Sequence, residues 1–533
     1  NMDRLIYFLV GTFMCSFLSS QAQFGYYEQA LQFSQTSFGG TARIQGIGGA
    51  QVALGGDLSH ASSNPAGLGF YNRGVFSITP GLNFHKTESD YLKQSNLDKK
   101  VNFNIAQLGL SFYFGDGDIA TQPIRGSSFA ITVDRVNDFY NETYYQSENY
   151  DNSYINTVVE NPFDDPTLTS TFYDQFLINP HPNNYEFYPG FEELVGYDTI
   201  PNYPGYSSPF EFSRPTQSNS IVTEGSQYAI NFAYGANYMD WLYFGASLSV
   251  NSLDYKKVEN YNEFDYFYYE QDGSLTSEDA LDNITIRNQL SIVGTGAGAN
   301  FGIIVRPLSH LILGLSYATP SFMRFDEEFF NDISTNYFDN YDYVSVTFDT
   351  EDIDDDPQTR FVENTSELAF FEELGDIFVS TYTLTTPGTF NIGLSYFLGK
   401  NGFLTGEVEF KDYSSLFLNG KDFDLSADNQ EIKERYKSVL NYRVGAEYKI
   451  GSFQMRGGYG LQEDPYTSSN YNRNTDQFSI GFGYREADFF IDFAFTHQRM
   501  KRYVSPYYIE VNQPIAKLSD YQTTALLTFG LNF

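Results

Sequence analysis

Five histidines, His60, His85, His181, His310 and His497, are the first residues to test for chemistry, because an imidazole is the commonest general base and metal ligand near neutral pH. They are scattered along the chain, with no Ser-His-Asp arrangement and no metal-ligand spacing between them. They read as surface or strand-end residues, so neither an enzyme nor haem capture is expected, and no catalytic residue, metal or cofactor is assigned. The sole cysteine is Cys15, near the start of the chain. Beyond it disulfides, thiolate metal sites and cysteine nucleophiles are excluded together. The acidic run DTEDIDDD, Asp349 to Asp356, lacks the glycine and terminal glutamate of a calcium loop and reads as solvated. Asp and Glu outnumber Lys and Arg 67 to 31, which excludes a nucleic-acid partner, since a phosphate backbone needs cations. VGTGAGANFG, Val293 to Gly302, has dinucleotide-like glycine spacing, but no crossover helix follows it.

With no reactive cluster, the informative residues are those that set the architecture. Arg4, the apolar run Ile6 to Leu18 and the segment Ser19 to Gln23 form an export leader, with cleavage expected after Ala22. Thr12, Phe13 and Met14 before Cys15 do not make a lipidation motif. No later apolar run reaches about 18 residues, so no spanning helix is expected. That leaves a secreted β protein or a transmembrane barrel.

The final segment, YQTTALLTFGLNF, separates the two. Tyr521, Thr523, Ala525, Leu527, Phe529, Leu531 and Phe533 share one face, and Gln522, Thr524, Leu526, Thr528, Gly530 and Asn532 the other. An apolar face backed by a small or polar one is a strand between lipid and a wet lumen. Phe478, Ile480, Phe482 and Tyr484 repeat the pattern, as do Phe489, Ile491, Phe493 and Phe495. Around Tyr442 to Tyr448 the inward face alternates charges, including Arg443 and Glu447, which would be costly in a dry sandwich core.

Fourteen such strands are expected, near 74–86, 101–115, 127–140, 226–238, 241–256, 284–305, 310–323, 387–398, 402–413, 437–450, 452–462, 475–486, 488–502 and 521–533. The even count suits a closed barrel, all-β and antiparallel. Odd-to-even links are long and even-to-odd links mostly tight, matching extracellular loops and periplasmic turns. The longest loops are expected at about 141–224, 257–283 and 326–383.

In two neighbouring strands the alternation slips. Val101, Phe103 and Ile105 are out of phase with Leu108, Leu110 and Phe112, which places a slip at Ala106 and Gln107; a second falls at Asp134 and Arg135. A one-residue slip is the signature of a β-bulge, and two at similar depth suggest a kinked wall, the alternative being that the third strand leaves the bilayer there. The glycine-rich run from Val293 is a further candidate bend.

About fifty residues separate the leader from the first strand, and TARIQGIGGAQVALGGDLSHASSNPAGLG, Thr41 to Gly69, is too apolar for a tail. This segment resembles the lumen plug of the long-chain fatty-acid transporter family, the FadL type, with Asn64, Pro65 and Ala66 matching its turn, Asp57 the preceding acid and Gly67 the following small residue. The resemblance implies a 14-stranded outer-membrane β-barrel with a plug over 23–73 and the barrel over 74–533. Phe533 resembles the terminal aromatic signal read by the barrel-insertion machinery. The family implies passive uptake of a hydrophobic, fatty-acid-like ligand in the outer membrane of a Gram-negative bacterium, among its lipid and lipopolysaccharide, with exit through a kink in the third strand. The alternative is a scaffold: relatives of this fold are partner subunits of protein-export or barrel-assembly complexes, and the aromatic-rich loops suit a protein partner.

Overall fold

The computed structural model describes residues 25–533 except 38, 116–121, 161–165, 176, 181–205, 208–213, 270–274, 279–280, 338–345, 348–358, 361–368, 374–376, 469 and 510–511. The leader and the acidic run at 349–356 lie outside the described residues, as do most of the longest loops and His181.

Fourteen antiparallel wall strands close into a barrel: β1 Val75–Tyr91, β2 Gln94–Phe114, β3 Ile124–Asp138 continued by Asn141–Glu148, β4 Thr216–Tyr238, β5 Leu242–Phe264, β6 Leu281–Leu308, and β7 Leu311–Ala318 continued by Phe322–Tyr337. The circuit goes on with β8 Phe378–Thr385 continued by Thr389–Phe397, β9 Gly402–Asp412 continued by Phe417–Gly420, β10 Ser438–Ile450, β11 Phe453–Gln462, β12 Thr475–Arg485, β13 Phe489–Val504 and β14 Ala516–Asn532. Each pairs with the next, and β14 pairs with β1 from Asn532↔Val75 to Ala516↔Tyr91. Gly74 and Phe533 exchange backbone hydrogen bonds of 2.8 and 2.9 Å at the rim of this seam. Among the described residues no helix is long and apolar enough to cross a membrane, so the strands carry the crossing.

The face assignments follow from alternation. Leu527, Phe529, Leu531 and Phe533 are exposed on the outside of β14, while Thr524, Leu526 and Thr528 are buried. Phe478, Ile480 and Phe482 on β12 and Tyr442, Val444 and Tyr448 on β10 extend the same outward band. A surface this rich in exposed rings and aliphatics belongs against lipid.

The strands run well beyond the band, and here the sequence expectation is corrected. No long loop joins β1 to β2: Tyr91 pairs with Gln94 across Leu92 and Lys93, with Leu92 in the left-handed region at φ 50°. Likewise β3 and β4 continue as a ladder from Asn141↔Thr223 to Glu148↔Thr216, so the loop expected from 141 to 224 shortens to 149–215. Polar residues on both faces hide these extensions, since a strand in water on both sides need not alternate.

β7, β8 and β9 are each broken, at Thr319–Ser321, Thr386–Gly388 and Tyr413–Leu416. Pro320 and Pro387 cannot donate to a ladder. Thr319 and Thr386 fill in with side-chain oxygens, accepting from the Ala299 and Ser321 N–H groups at 3.1 and 3.0 Å. The neighbouring stretch of β6 changes partner from one half of β7 to the other between Ala297 and Asn300.

Candidate functional site

The N-terminal segment runs through the lumen. α1, Tyr26–Ser34, lies in its upper part: the Tyr27 N–H donates to Asp428 of the helix α2, Ser426–Arg435, at 3.1 Å, and Phe33 packs lower down among β3, β5 and β7. The chain then descends through the short helices Ala42–Gln45 and His60–Ser63 to Gly74 at the lower rim.

The residues matched to the plug motif fold as one knot. Asp57 accepts the Thr41 hydroxyl at 2.9 Å and the Ser59 N–H at 3.0 Å. Asn64, extended before a proline, accepts the Ala66 N–H at 3.2 Å on its side-chain oxygen and donates to the Val52 carbonyl at 2.7 Å. Pro65 then starts a 3₁₀ turn, Pro65–Phe70, where its missing N–H costs nothing. The knot presses on three wall glycines. A Cβ on Gly302 would stand 1.8 Å from the Asn64 Oδ1, and one on Gly235 or Gly245 2.4 Å from Pro65 backbone atoms. Gly67 faces the His60 ring, where a Cβ would come within 2.2 Å. His60 is therefore not a surface histidine: it is fully buried, 2.9 Å from the Asp57 carbonyl and 3.2 Å from that of Gln51.

Opposite charges on the inner wall hold the segment. The Oε2 of Glu407 accepts from the Gln51 and Val52 backbone N–H groups at 2.9 and 3.0 Å, while its Oε1 takes Arg443 at 2.5 Å. Arg443 also reaches Glu409 at 3.0 Å. Around the ring, Arg456 bonds Asp492 at 2.6 Å and Glu447 at 2.7 Å, with Arg485 3.3 Å from Asp492 and Arg43 3.6 Å from Glu447. Arg43 carries the network into the segment, donating to the Gly56 carbonyl at 3.1 Å. Ions buried this deeply hold together only when paired and hydrogen-bonded. Sequence alternation located Arg443 and Glu447 on the inner face, but not the partners across strands.

The four residues at the sequence slips come together in the wall. The β1–β2 register shifts between Thr79 and Pro80, where Ala106 is skipped, and the β3–β4 register shifts between Arg135 and Asn137. The β2–β3 ladder runs from Phe114↔Ser127 up to Gln107↔Asp134 and ends there. Asp134 is the hub: it accepts from Gln107 at 2.6 Å, Thr132 at 2.7 Å and Asn231 at 2.8 Å. Higher up, the Tyr144 N–H donates to the Asp98 side chain at 2.7 Å, and the Tyr144 carbonyl accepts from Ser89 at 2.5 Å.

Between Asp98 and Gln107, then, β2 has no backbone partner on its β3 side among the described residues. That break in the ladder, a window in the backbone roughly 30 Å long at strand rise, is crossed by side chains: Asn102 donates to Asp138 at 3.2 Å and Lys100 pairs with Glu224 at 3.3 Å. Outside it, Val101 and Phe103 are 57 % and 69 % exposed. Inside, Asp138 draws Arg135, His85, Asn83 and Asn102 together. A polar cavity of about 40 Å³ adjoins them, reaching Ser37, Gly39 and Gln45 of the N-terminal segment. Among the described residues no cluster of His, Cys, Asp or Glu could hold a metal ion.

No family model matches the sequence, and no curated protein matches it. Solved structures do. A Pseudomonas aeruginosa FadL homologue superposes with a TM-score of 0.52 at 11% identity, covering 94% of this chain and 99% of that one. The fold is that of the FadL type. The toluene transporters TbuX of Ralstonia pickettii and TodX of P. putida follow with TM-scores of 0.48 and 0.47, each at 11% identity and 93% of this chain, and 98% and 99% of their own. A 14-stranded FadL-type barrel belongs to the outer-membrane class of β-barrels, the class to which the outward apolar band also points.

Proposed function

We propose that the protein is an outer-membrane channel for passive uptake of hydrophobic small molecules, with residues 25–73 as its plug and the window between β2 and β3 as its lateral exit. The window carries this reading: a wall that parts in the apolar band, beside the plug, gives a greasy molecule a way into lipid without crossing the plug's full depth. Residues 1–22 serve as the export leader of a Gram-negative outer-membrane protein. Phe533, held at the seam, serves the insertion machinery as its terminal aromatic, and the barrel then sits among outer-membrane lipid and lipopolysaccharide.

The Asn102 amide donates to Asp138 across the window at 3.2 Å, so thiols at Asn102→Cys and Asp138→Cys, in a Cys15→Ser background, lie within reach of a short bis-methanethiosulfonate linker that staples it shut and is released by reduction. The readout is uptake of radiolabelled oleate by intact cells carrying this chain as their fatty-acid channel. Uptake that falls on cross-linking and returns on reduction supports the exit. Equal uptake in both states removes it.

The scaffold reading draws on one observation, the ring of buried ion pairs that fixes the segment in the lumen. A plug that never moves suits a subunit whose work is done by its loops. Recovery of a stoichiometric protein partner from mildly solubilised membranes, with no oleate uptake, would favour it.

A further inference from the structure

The outer wall carries a charge pattern that the lumen does not use. On β2, β1, β14 and β13 one outward row runs through the paired residues Lys99↔Lys86, Lys86↔Tyr521 and Tyr521↔Arg499. Directly below it lie Val101, Phe84, Thr523 and His497, with Phe478 of β12 next in line. Lys501 stands one outward position above Arg499 on β13.

The row stands where hydrocarbon ends. From Phe76 to Phe84 β1 climbs about 27 Å at strand rise, or about 20 Å of depth at the usual tilt, and the apolar band of an outer-membrane barrel is about 25 Å tall. Phe84 and Val101 are exposed, and the next outward pair is Lys86 and Lys99. That is the level of lipid headgroups, and because β1 rises from the lower rim they are those of the outer leaflet.

The charge of the row is not spent within the protein. Among the described residues Lys99, Arg499 and Lys501 are exposed and pair with no carboxylate. Arg499 lies over the Phe478 ring at 5.4 Å, while Asp476 opposite it accepts the Tyr459 hydroxyl at 2.5 Å. Lys86 does have a partner, Glu88 at 2.6 Å, and its ammonium also stands 5.3 Å from the Tyr521 ring. In a chain of formal charge -36 this surplus of cations is local. On the other side of the barrel the outward positions of β5 and β7 above the band hold Asp254, Lys256, Arg324, Asp326 and Glu328, and Arg324 is taken by Asp326 at 3.3 Å.

From Lys99 to Arg499 the row crosses three strand spacings, about 14 Å. A cationic strip of that width, set with an aromatic ring and standing over an apolar wall, fits a lipid whose sugar headgroup bears more than one phosphate.

We propose that the outward face of β13, β14, β1 and β2 is a binding site for lipopolysaccharide, with Lys99, Lys86, Arg499 and Lys501 on its phosphates, Tyr521 against its sugar and the Phe84 row under its acyl chains. This rests on the outer-membrane placement and is independent of uptake. Lys99 is on the strand that borders the window, so the lipid held there stands beside that break.

The probe is deep-rough lipopolysaccharide, added to the delipidated protein in detergent and counted by native mass spectrometry. Lys99→Gln with Arg499→Gln removes two unpaired cations and is expected to weaken binding at least ~10-fold, the loss of about one charge-assisted hydrogen bond. Lys256→Gln with Arg324→Gln removes the same charge from the other side and is expected to leave binding unchanged. Heat-modified gel mobility of the barrel shows that each variant is folded. Equal loss in both pairs, no loss in either, or displacement of the lipid by equimolar phosphatidylglycerol or inorganic phosphate overturns the proposal. Location is scored separately by sedimentation of cell membranes: an outer-membrane protein without selective lipopolysaccharide binding keeps the placement and removes this site, whereas selective binding by a chain that sediments elsewhere keeps the site and removes the placement.

Discussion

Glu407 of β9 grips the N-terminal segment by its backbone, accepting the Val52 N–H at 3.0 Å beside that of Gln51 at 2.9 Å on one carboxylate oxygen. No side chain of the segment is needed for this hold, so substitutions at Gln51 or Val52 leave it intact. Glu407→Ala removes both bonds and leaves Arg443 with Glu409 alone, whereas Glu407→Gln keeps the acceptor without the charge. Charge-assisted hydrogen bonds of this kind contribute about 1.5–3 kcal/mol. The expected result in planar bilayers is a roughly 10- to 100-fold rise in open-state occupancy for Glu407→Ala and a smaller rise for Glu407→Gln. Unchanged conductance in both would show that the segment is held elsewhere.

Gly302 should tolerate no side chain. Its Cβ would fall on the Asn64 amide oxygen, and the Asn64-Pro65-Ala66 turn lies against a row of wall glycines in which Gly302 pairs with Gly245 and Gly245 with Gly235. Gly302→Ala is expected to lower stability by about 1–3 kcal/mol, the cost of overpacking a filled site. Combining it with Asn64→Ala, which removes the clashing atom, should recover part of the loss; urea unfolding of the refolded barrel reads both.

The Arg456–Asp492 pair, with both side chains fully buried, is expected to be far more sensitive than any surface ion pair. Asp492→Ala leaves Arg456 and Arg485 facing each other without their shared carboxylate, with Glu447 still paired to Arg456, and the cost is expected at the lower end of the about 3–5 kcal/mol of a broken buried pair. Replacing Asp520, whose Arg502 partner is 35 % exposed, should cost less. The comparison is a thermal melt followed by heat-modified mobility; equal losses would contradict the burial argument.

Glu263 gives the extracellular cap a pH dependence. It lies at the top of β5, beyond the apolar band, and burial pushes its carboxyl above the ordinary glutamate range despite donors from Tyr154, Tyr261, Tyr266 and Gln217. A raised folded-state value means that the protonated form favours the fold. The stability is fully present below the unfolded glutamate value and is lost as pH rises through the folded one. Protease resistance of the cap around Ile155 and Phe172 is therefore expected to be higher near pH 4.5 than near pH 7.5, and Glu263→Gln should flatten the difference. Resistance that rises with pH would reverse the sign.

The wall was legible where lipid imposes a rule. Phe529 and Leu531 against Thr528 and Gly530 need one face in hydrocarbon, and the fourteen strands follow from that constraint repeated. Above the bilayer the rule lapses, which is why Ser95 to Lys100 read as loop although they are strand. Slips at Ala106 and Arg135 were visible because they break a pattern. The interruptions at Pro320 and Pro387 coincide with expected strand ends and passed unnoticed. For the lumen, Arg443 and Glu447 announced buried charge, but pairing with Glu407 or Arg456 depends on register between strands. His60 was misread because nothing local distinguishes a histidine under a glycine turn from one on a surface. α1 offers only nine residues, YYEQALQFS, and its place is decided by the rings that receive it.

The seam at Gly74 and Phe533 also decides how the enclosed segment can travel. The N-terminal segment starts at the lower rim and runs up inside a hoop closed by β14 against β1. Paired strands bar it from passing sideways, so its movement is lengthwise along the bore, with Gly74 as the fixed end. The wall and its contents are in that sense a cylinder and a tethered piston, and the stroke is set by the length of chain above the tether.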